Sequence, residues 1–285
     1  MFTSVQDSFE ISNGVRIPCV GYGTWKTPDG EVTAHCVDEA LRAGYTHIDT
    51  AMIYQNEASV GEGIRRSGVR REDFFLTTKH WTADRGYEKT ILACEASLKR
   101  LGVDYLDLYL IHWPCVKKVD PNWKEINAET WRGFERLYQD GKVRAIGTSN
   151  MFKEHLDALS SMCTIQPMVS QIEFHPGFMQ DEVVEDAKAR GMVVEAWSPM
   201  GSGAVINDPR LIEIASHYGK DVAQLCIRFA LDNGLLPLPK STRDDRIRTN
   251  MEVFDFTITE EDAKALRAIE NLGYSGLTPE EAPAG

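Results

Sequence analysis

Eight short apolar runs, each followed by a helical pattern, predict an α/β fold for this 285-residue chain: a single (β/α)8 TIM barrel. Two further observations support that class. The runs are apolar along their length, as strands covered on both faces of a parallel sheet must be. The side chains with the richest chemistry cluster where several of those runs end, which is the rim where barrels of this kind carry their sites. The length suits one barrel, so residues 1–285 read as one domain.

Ahead of the barrel, 9–18 reads as a β-hairpin, with Asn13-Gly14 as a two-residue turn signal between FEIS and VRIP. It is expected to cap the bottom, N-terminal mouth of the barrel. A strand at 19–23 leads to a helix at 31–43 that places Val32, Cys36, Val37, Ala40 and Leu41 on one face and stops at Gly44. Strand 46–50 precedes helix 57–66, and strand 74–79 precedes helix 87–100, closed by Gly102. Strand 105–112 is followed by helix 128–139, which turns Trp131, Phe134, Leu137 and Tyr138 inward. Strand 143–149 goes with a short helix at 153–160, and strand 169–173 with helix 181–189. Strand 192–197 is followed by two helices, 209–217 and 221–233, and 235–238 is the last strand. One helix opens at 243–250 and a terminal one covers 259–269, with Thr259 as N-cap. The Gly/Pro/Glu-rich stretch 273–285 reads as a loose C-terminal tail.

Composition narrows the function. A net charge of −12 argues against general nucleic-acid binding. A local exception is basic: Lys240, Arg243, Arg246 and Arg248 fall within nine residues, at a strand end and helix start suited to phosphate. The six cysteines show no CxxC spacing and read as free thiols of a reducing compartment. The first residues lack the basic and long apolar regions of a signal peptide, and no apolar run is long enough to span a bilayer. The expected location is cytoplasmic, with no membrane partner.

Four residues carry the chemistry. Asp49, Lys79 and His112 end three neighbouring strands, and Tyr54 lies just past the first of them. Side-chain alternation puts Phe75, Thr77 and Lys79 on one strand face, and Leu106, Leu108, Leu110 and His112 on another, with Asp107 opposite. His47 shares a face with Asp49 but lies deeper and reads as a core histidine. A Lys79 ammonium beside Tyr54 is expected to draw the phenol below its usual value of about 10, and Asp49 to hold that lysine charged. Such a phenol can protonate a developing alkoxide while His112 orients the carbonyl oxygen. No side chain offers the matching hydride, so a nicotinamide cofactor is implied.

Three stretches, GYTHIDTA at 44–51, DYLDLYLIHWP at 104–114 and LPKS at 238–241, resemble the aldo-keto reductase family. The likeness runs from the hairpin to about Phe256, and the chain resembles the short bacterial members similar to 2,5-diketogluconate and prostaglandin F synthase-like reductases. It implies a catalytic tetrad of Asp49, Tyr54, Lys79 and His112. It also implies an NADP(H) site, preferred over NAD(H), without a Rossmann domain; Gly61-Glu62-Gly63 is only a near miss to a GxGxxG motif. By resemblance, Gly23, Thr24 and Asp49 border the cofactor; Ser149, Asn150 and Gln171 hold the carboxamide; Trp197 stacks on the nicotinamide. Ser198, Pro199, Met200, Gly201 and Ser202 cover the pyrophosphate. Lys240, Ser241, Thr242 and Arg246 surround the 2′-phosphate, and Asn250 meets the adenine, although Thr249 departs from the acidic or glutamine residue many members carry. Trp25, Trp81 and Trp113, with Tyr54 and His112, are placed around a small-molecule carbonyl substrate; Met52, Ile53 and Gln55 flank Tyr54 and are further candidates to touch that substrate. The likeness further suggests a monomer.

Other readings compete. A metal-dependent barrel hydrolase needs clustered ligands, and the seven histidines show no HxH or HExxH pattern, so no metal is expected. A barrel glycosidase would use Glu173 and Glu195 as paired carboxylates. A cofactor-binding regulatory barrel with little turnover is the alternative to an enzyme.

Overall fold

The computed structural model describes residues 2–280. Strands β1 (Ser8–Glu10) and β2 (Arg16–Pro18) pair antiparallel, with Phe9 opposite Ile17. Their reversal is a bulged three-residue loop, not the two-residue turn expected. Gly14 N donates to Ile11 O and Ile11 N to Val15 O, both at 2.8 Å, and Gly14 takes a φ of 84°, where glycine alone is unhindered. Ile11 and Ile17 are buried, and Asn13 Nδ2 donates to the Arg144 carbonyl at 2.9 Å. That carbonyl opens a barrel strand, so the hairpin closes the N-terminal mouth as the sequence predicts.

Eight parallel strands follow: β3 (Tyr22–Gly23), β4 (His47–Asp49), β5 (Phe75–His80), β6 (Leu106–Ile111), β7 (Val143–Ser149), β8 (Val169–Glu173), β9 (Val193–Trp197) and β10 (Leu236–Leu238). Each pairs with the next in chain order. Backbone bonds from Gly21 N to Pro237 O (3.1 Å) and from Gly23 N to Pro239 O (2.9 Å) bring the last strand back to the first. Between strands lie α1 (Glu31–Ala43), α2 (Glu57–Ser67), α3 (Tyr87–Leu101), α4 (Trp123–Gln139), α5 (Lys153–Ser160) and α6 (Asp181–Ala189). Two helices, α7 (Pro209–Ser216) and α8 (Val222–Asp232), join β9 to β10; α9 (Asp244–Thr249) and α10 (Glu260–Arg267) follow β10. Thr259 caps α10 by accepting from Asp262 N at 3.2 Å. Among the described residues no helix is long and apolar enough to cross a membrane.

Three local expectations change. α4 begins more than one turn early, because Asp120 secures the preceding turn by accepting from Asn122 N at 2.7 Å. Val32 is exposed, and α1 buries Thr33 and Ala34 instead. The reason is the close approach of α2: a Cβ on Gly63 would sit 2.5 Å from Ala34 O, and one on Gly61 would sit 2.3 Å from Leu101 O. Those glycines are helix-packing residues, which explains the near miss to a nucleotide motif. The C-terminal stretch is also more tied down than a loose tail. Tyr274 stacks on Phe178 at 4.3 Å, and Ser275 Oγ donates to Glu173 Oε2 at 2.6 Å; residues 281–285 lie outside the described residues.

Candidate active site

The strand ends bring the four predicted residues together. β4 delivers Asp49, and a 3-10 turn at Met52–Tyr54 swings Tyr54 back over the barrel, its N–H donating to Ala51 O at 3.1 Å. Asn56, which sequence reasoning passed over, anchors that turn. Its Nδ2 donates to Thr24 O (3.1 Å) and Thr27 O (3.2 Å), while its Oδ1 accepts from Thr50 Oγ1 at 3.2 Å. β5 brings Lys79, whose fully buried ammonium donates to Asp49 Oδ1 at 2.6 Å, Thr50 O at 2.9 Å and Tyr54 OH at 3.4 Å. His112 follows β6, with its ring 5.6 Å from that of Tyr54 and 5.4 Å from that of Trp81.

Burial governs the protonation states. It pushes the Tyr54 phenol up; Lys79 pulls it back, Asp49 pushes up again, and the balance is upward. The expectation of a net-lowered phenol is thus corrected: the ammonium acts in the expected direction but burial outweighs it. Lys79 is raised, because Asp49 and then Tyr54 together overcome the burial that works against its charge. Burial, then Lys79 and His80, hold His112 well below the usual imidazole value. At neutral pH the cluster is a neutral phenol, an ammonium and a neutral imidazole, and the buried His112 Nδ1 has no partner among the described residues.

A cavity of about 920 Å³ opens over this cluster, at the large end for ligand sites. Asp49, Tyr54 and His112 line it, and so do Lys240, Ser241, Arg246 and Asn250. Gly23, Asn150, Gln171, Trp197, Ser198, Pro199, Met200 and Ser202 line it as well, as do Trp25, Trp81 and Trp113. Thr24, Ser149, Gly201 and Thr242 do not. Thr24 Oγ1 donates to Asp49 O (3.1 Å) and Ser149 Oγ to Gln171 O (2.9 Å), so both brace residues that do face the cavity. Asn150 adopts a left-handed backbone (φ 58°) and accepts from Trp197 Nε1 at 2.9 Å, which fixes the indole. Of the basic cluster, Arg243 pairs with Asp245 and Arg248 with Glu39. Arg246 faces the cavity without an ion-pair partner among the described residues.

Lys26, Gly203, Ile206 and Leu277 also line the cavity and were not anticipated. Lys26 follows Trp25 directly, so proximity was the available signal; Leu277 had none, since only the docked C-terminal stretch brings it there. Neither Glu173 nor Glu195 lines the cavity, which removes the paired-carboxylate reading. Glu154, His155 and Glu280 lie close enough to share an ion, but away from this cavity.

The donor set fits an extended anionic ligand with an aromatic head. Trp197 offers a ring face, Gln171 keeps its carbonyl oxygen unclaimed, and Lys240 and Arg246 are among the cations of the lining. Comparison with known proteins agrees. The aldo/keto reductase family profile matches residues 19–271. Glyoxal reductase of Bacillus subtilis is 43% identical over 281 residues, covering 99% of each chain. The 9,11-endoperoxide prostaglandin H2 reductase of Trypanosoma cruzi is 46% identical over 265 residues, covering 92% of this chain and 90% of that one. A Bombyx mori aldo-keto reductase, solved in complex with NADP, superposes with a TM-score of 0.86 at 34% identity, covering 95% of this chain and 94% of that one.

Proposed function

This chain belongs to the aldo/keto reductase family of NAD(P)H-dependent carbonyl reductases, and on that premise we propose that it reduces aldehydes and small ketones to alcohols with NADPH, Tyr54 giving the proton. The observation that carries the reading is the Tyr54 hydroxyl, 3.4 Å from the Lys79 ammonium, at the wall of a cavity that reaches Arg246. The bound cofactor would supply a hydride from its nicotinamide.

The chain's own residues do the rest. Tyr54, neutral at working pH, holds its proton where a carbonyl oxygen can take it as negative charge develops there. Lys79 stabilises the phenolate left behind, and Asp49 keeps Lys79 charged. His112, neutral, hydrogen-bonds and orients the same oxygen. Trp25, Trp81 and Trp113 give the substrate an aromatic wall that excludes water.

Around the cofactor, Trp197 offers its face to the nicotinamide, and Gln171 accepts from the carboxamide, with Ser149 and Asn150 behind it. Gly23 borders it, with Thr24 bracing Asp49 behind, and the loop from Ser198 to Ser202 covers the pyrophosphate. Lys240, Ser241 and Arg246 take the 2′-phosphate, with Thr242 next to them in the chain, which is what favours NADP(H) over NAD(H), and Asn250 takes the adenine. The likeness to a glyoxal reductase supports small aldehydes as substrates. The same reading has the protein act as a cytoplasmic monomer.

The test is NADPH consumption with a panel of aldehydes and ketones, for wild type and Tyr54→Phe. Turnover should fall by about 10²–10⁴-fold in the variant, with NADPH affinity within about twofold, since a hydroxyl facing the substrate is lost and no cofactor contact. Wild-type turnover in Tyr54→Phe would remove the phenol from the mechanism.

A further inference from the structure

The reaction above leaves one buried acid of the barrel interior without a task. Glu195 projects inward from β9 with no exposed surface. Trp197 lies two residues further along the same strand face, about 6.6 Å up the barrel. Glu195 Oε2 accepts from Gln171 Nε2 at 2.7 Å, and the same NH2 group donates to Asp49 Oδ2 at 2.9 Å. Both amide hydrogens of Gln171 are therefore claimed by acids below it. That fixes the amide orientation and leaves its carbonyl oxygen as the group available to a ligand.

Charge counting sets the state of Glu195. The interior around it holds two acids, Asp49 and Glu195, and one cation, Lys79, already 2.6 Å from Asp49. A dry interior does not hold a second, unpaired carboxylate. His47 does not provide a counter-charge: burial, then Lys79, bring it down to about 3, and its Nε2 hydrogen-bonds Thr77 Oγ1 at 3.0 Å while standing 3.9 Å from Glu195 Oε1. β6 leads only to the neutral His112, and β7 to Ser149. β3 and β10 bring Gly23, Leu236 and Leu238, none of which titrates; Tyr22 of β3 gives its hydroxyl to Ser241 O, and the acid two residues past Gln171 on β8, Glu173, is taken up by Ser275 N and Oγ. Burial, then Asp49, push Glu195 up to about 8, with the Gln171 hydrogen bond and Lys79 pulling the other way. Its Oε1 has no partner among the described residues.

We propose that Glu195 is a positioning residue that sets which redox form of the cofactor the site prefers, acting through Gln171 and through its own charge. Neutral, it steers Gln171 and leaves the site suited to the uncharged reduced ring. Ionised, it puts a negative charge beneath Trp197 and favours the oxidised ring, which carries a positive charge. The proposal rests on the nicotinamide reading above. By linkage, the oxidised cofactor pulls a proton off Glu195 and the reduced one does not. The sign follows: the oxidised form gains on the reduced form as pH rises through about 8. Tyr54 and Lys79 titrate higher and His112 well lower.

The test is the ratio of dissociation constants for NADP⁺ and NADPH, read by quenching of tryptophan fluorescence between about pH 6.5 and 9.5, in wild type and E195Q. The 2′-phosphate is common to both forms and cancels from the ratio. Wild type should shift toward NADP⁺ by about fivefold or more across that range. E195Q keeps a hydrogen-bond acceptor for Gln171 but cannot titrate, so its ratio should stay flat. If both forms bind wild type and the ratio does not move, or if E195Q moves as wild type does, Glu195 has no such role. If neither form binds, the nicotinamide reading fails and this proposal falls with it. The wild-type curve decides the matter even if E195Q does not fold.

Discussion

Replacing Lys79 by Met isolates the charge pair at the base of the site. The ammonium stands 2.6 Å from Asp49 Oδ1, where the attraction is about 6 kcal/mol at an effective dielectric of about 20. Much of that is offset by the burial of both ions, so the loss on breaking the pair should be about 3–5 kcal/mol. An independent ceiling agrees. The stranded Asp49 can take a proton instead, which costs about 4 kcal/mol at pH 7 for an acid of ordinary value about 3.9, and about 1.5 kcal/mol at pH 5. In the variant the folded-state value of Asp49 is raised above the unfolded one. Its penalty is therefore absent below the unfolded value and grows as pH rises. Urea unfolding followed by circular dichroism at the two pH values measures the loss relative to wild type. The expected result is a loss that shrinks between pH 7 and pH 5. Adding Asp49→Asn should recover most of the stability, because the neutral pair has no stranded charge. Turnover should stay low in that double variant, since Tyr54 still lacks its ammonium. A loss below about 1 kcal/mol at pH 7, or one equal at both pH values, would refute the reasoning.

Three further outcomes are expected. Arg246→Ala should weaken NADPH by about 10–100-fold, the loss of a charged hydrogen bond, and leave NADH nearly unchanged; equal weakening in fluorescence titrations would show that Arg246 does not meet the 2′-phosphate. Because burial and Lys79 hold His112 well below its usual value, the pH profile of kcat/KM for carbonyl reduction should show no imidazole inflection near about 6.5. An inflection there that vanishes in His112→Gln would contradict this. Gly61→Ala should destabilise by about 1–3 kcal/mol, since its Cβ would meet Leu101 O at 2.3 Å; an unchanged thermal midpoint would mean that α2 moves away freely.

Much of the site is legible from strand periodicity. Lys79 and His112 come out inward because alternation fixes a face once a strand is recognised, and both do face the cluster. Recognition falters where packing uses small residues. Val32 looks like a core residue, yet α1 meets α2 through Ala34 and Gly63, so the buried stripe rotates away from it. The basic run 240–248 is equally ambiguous in one dimension: Arg246 turns to the cavity, while Arg243 and Arg248 find acids of their own.

Local pattern and motif were enough to determine the barrel, the family and the four residues that the strand ends bring together, because each depends on residues near in sequence or repeated at a fixed period. Tertiary structure alone decided the protonation states, the docking of Leu277 at the cavity and the neutral acid beneath Gln171. Those depend on how many charges distant strands bring into one dry space, and no single stretch of the chain contains that count.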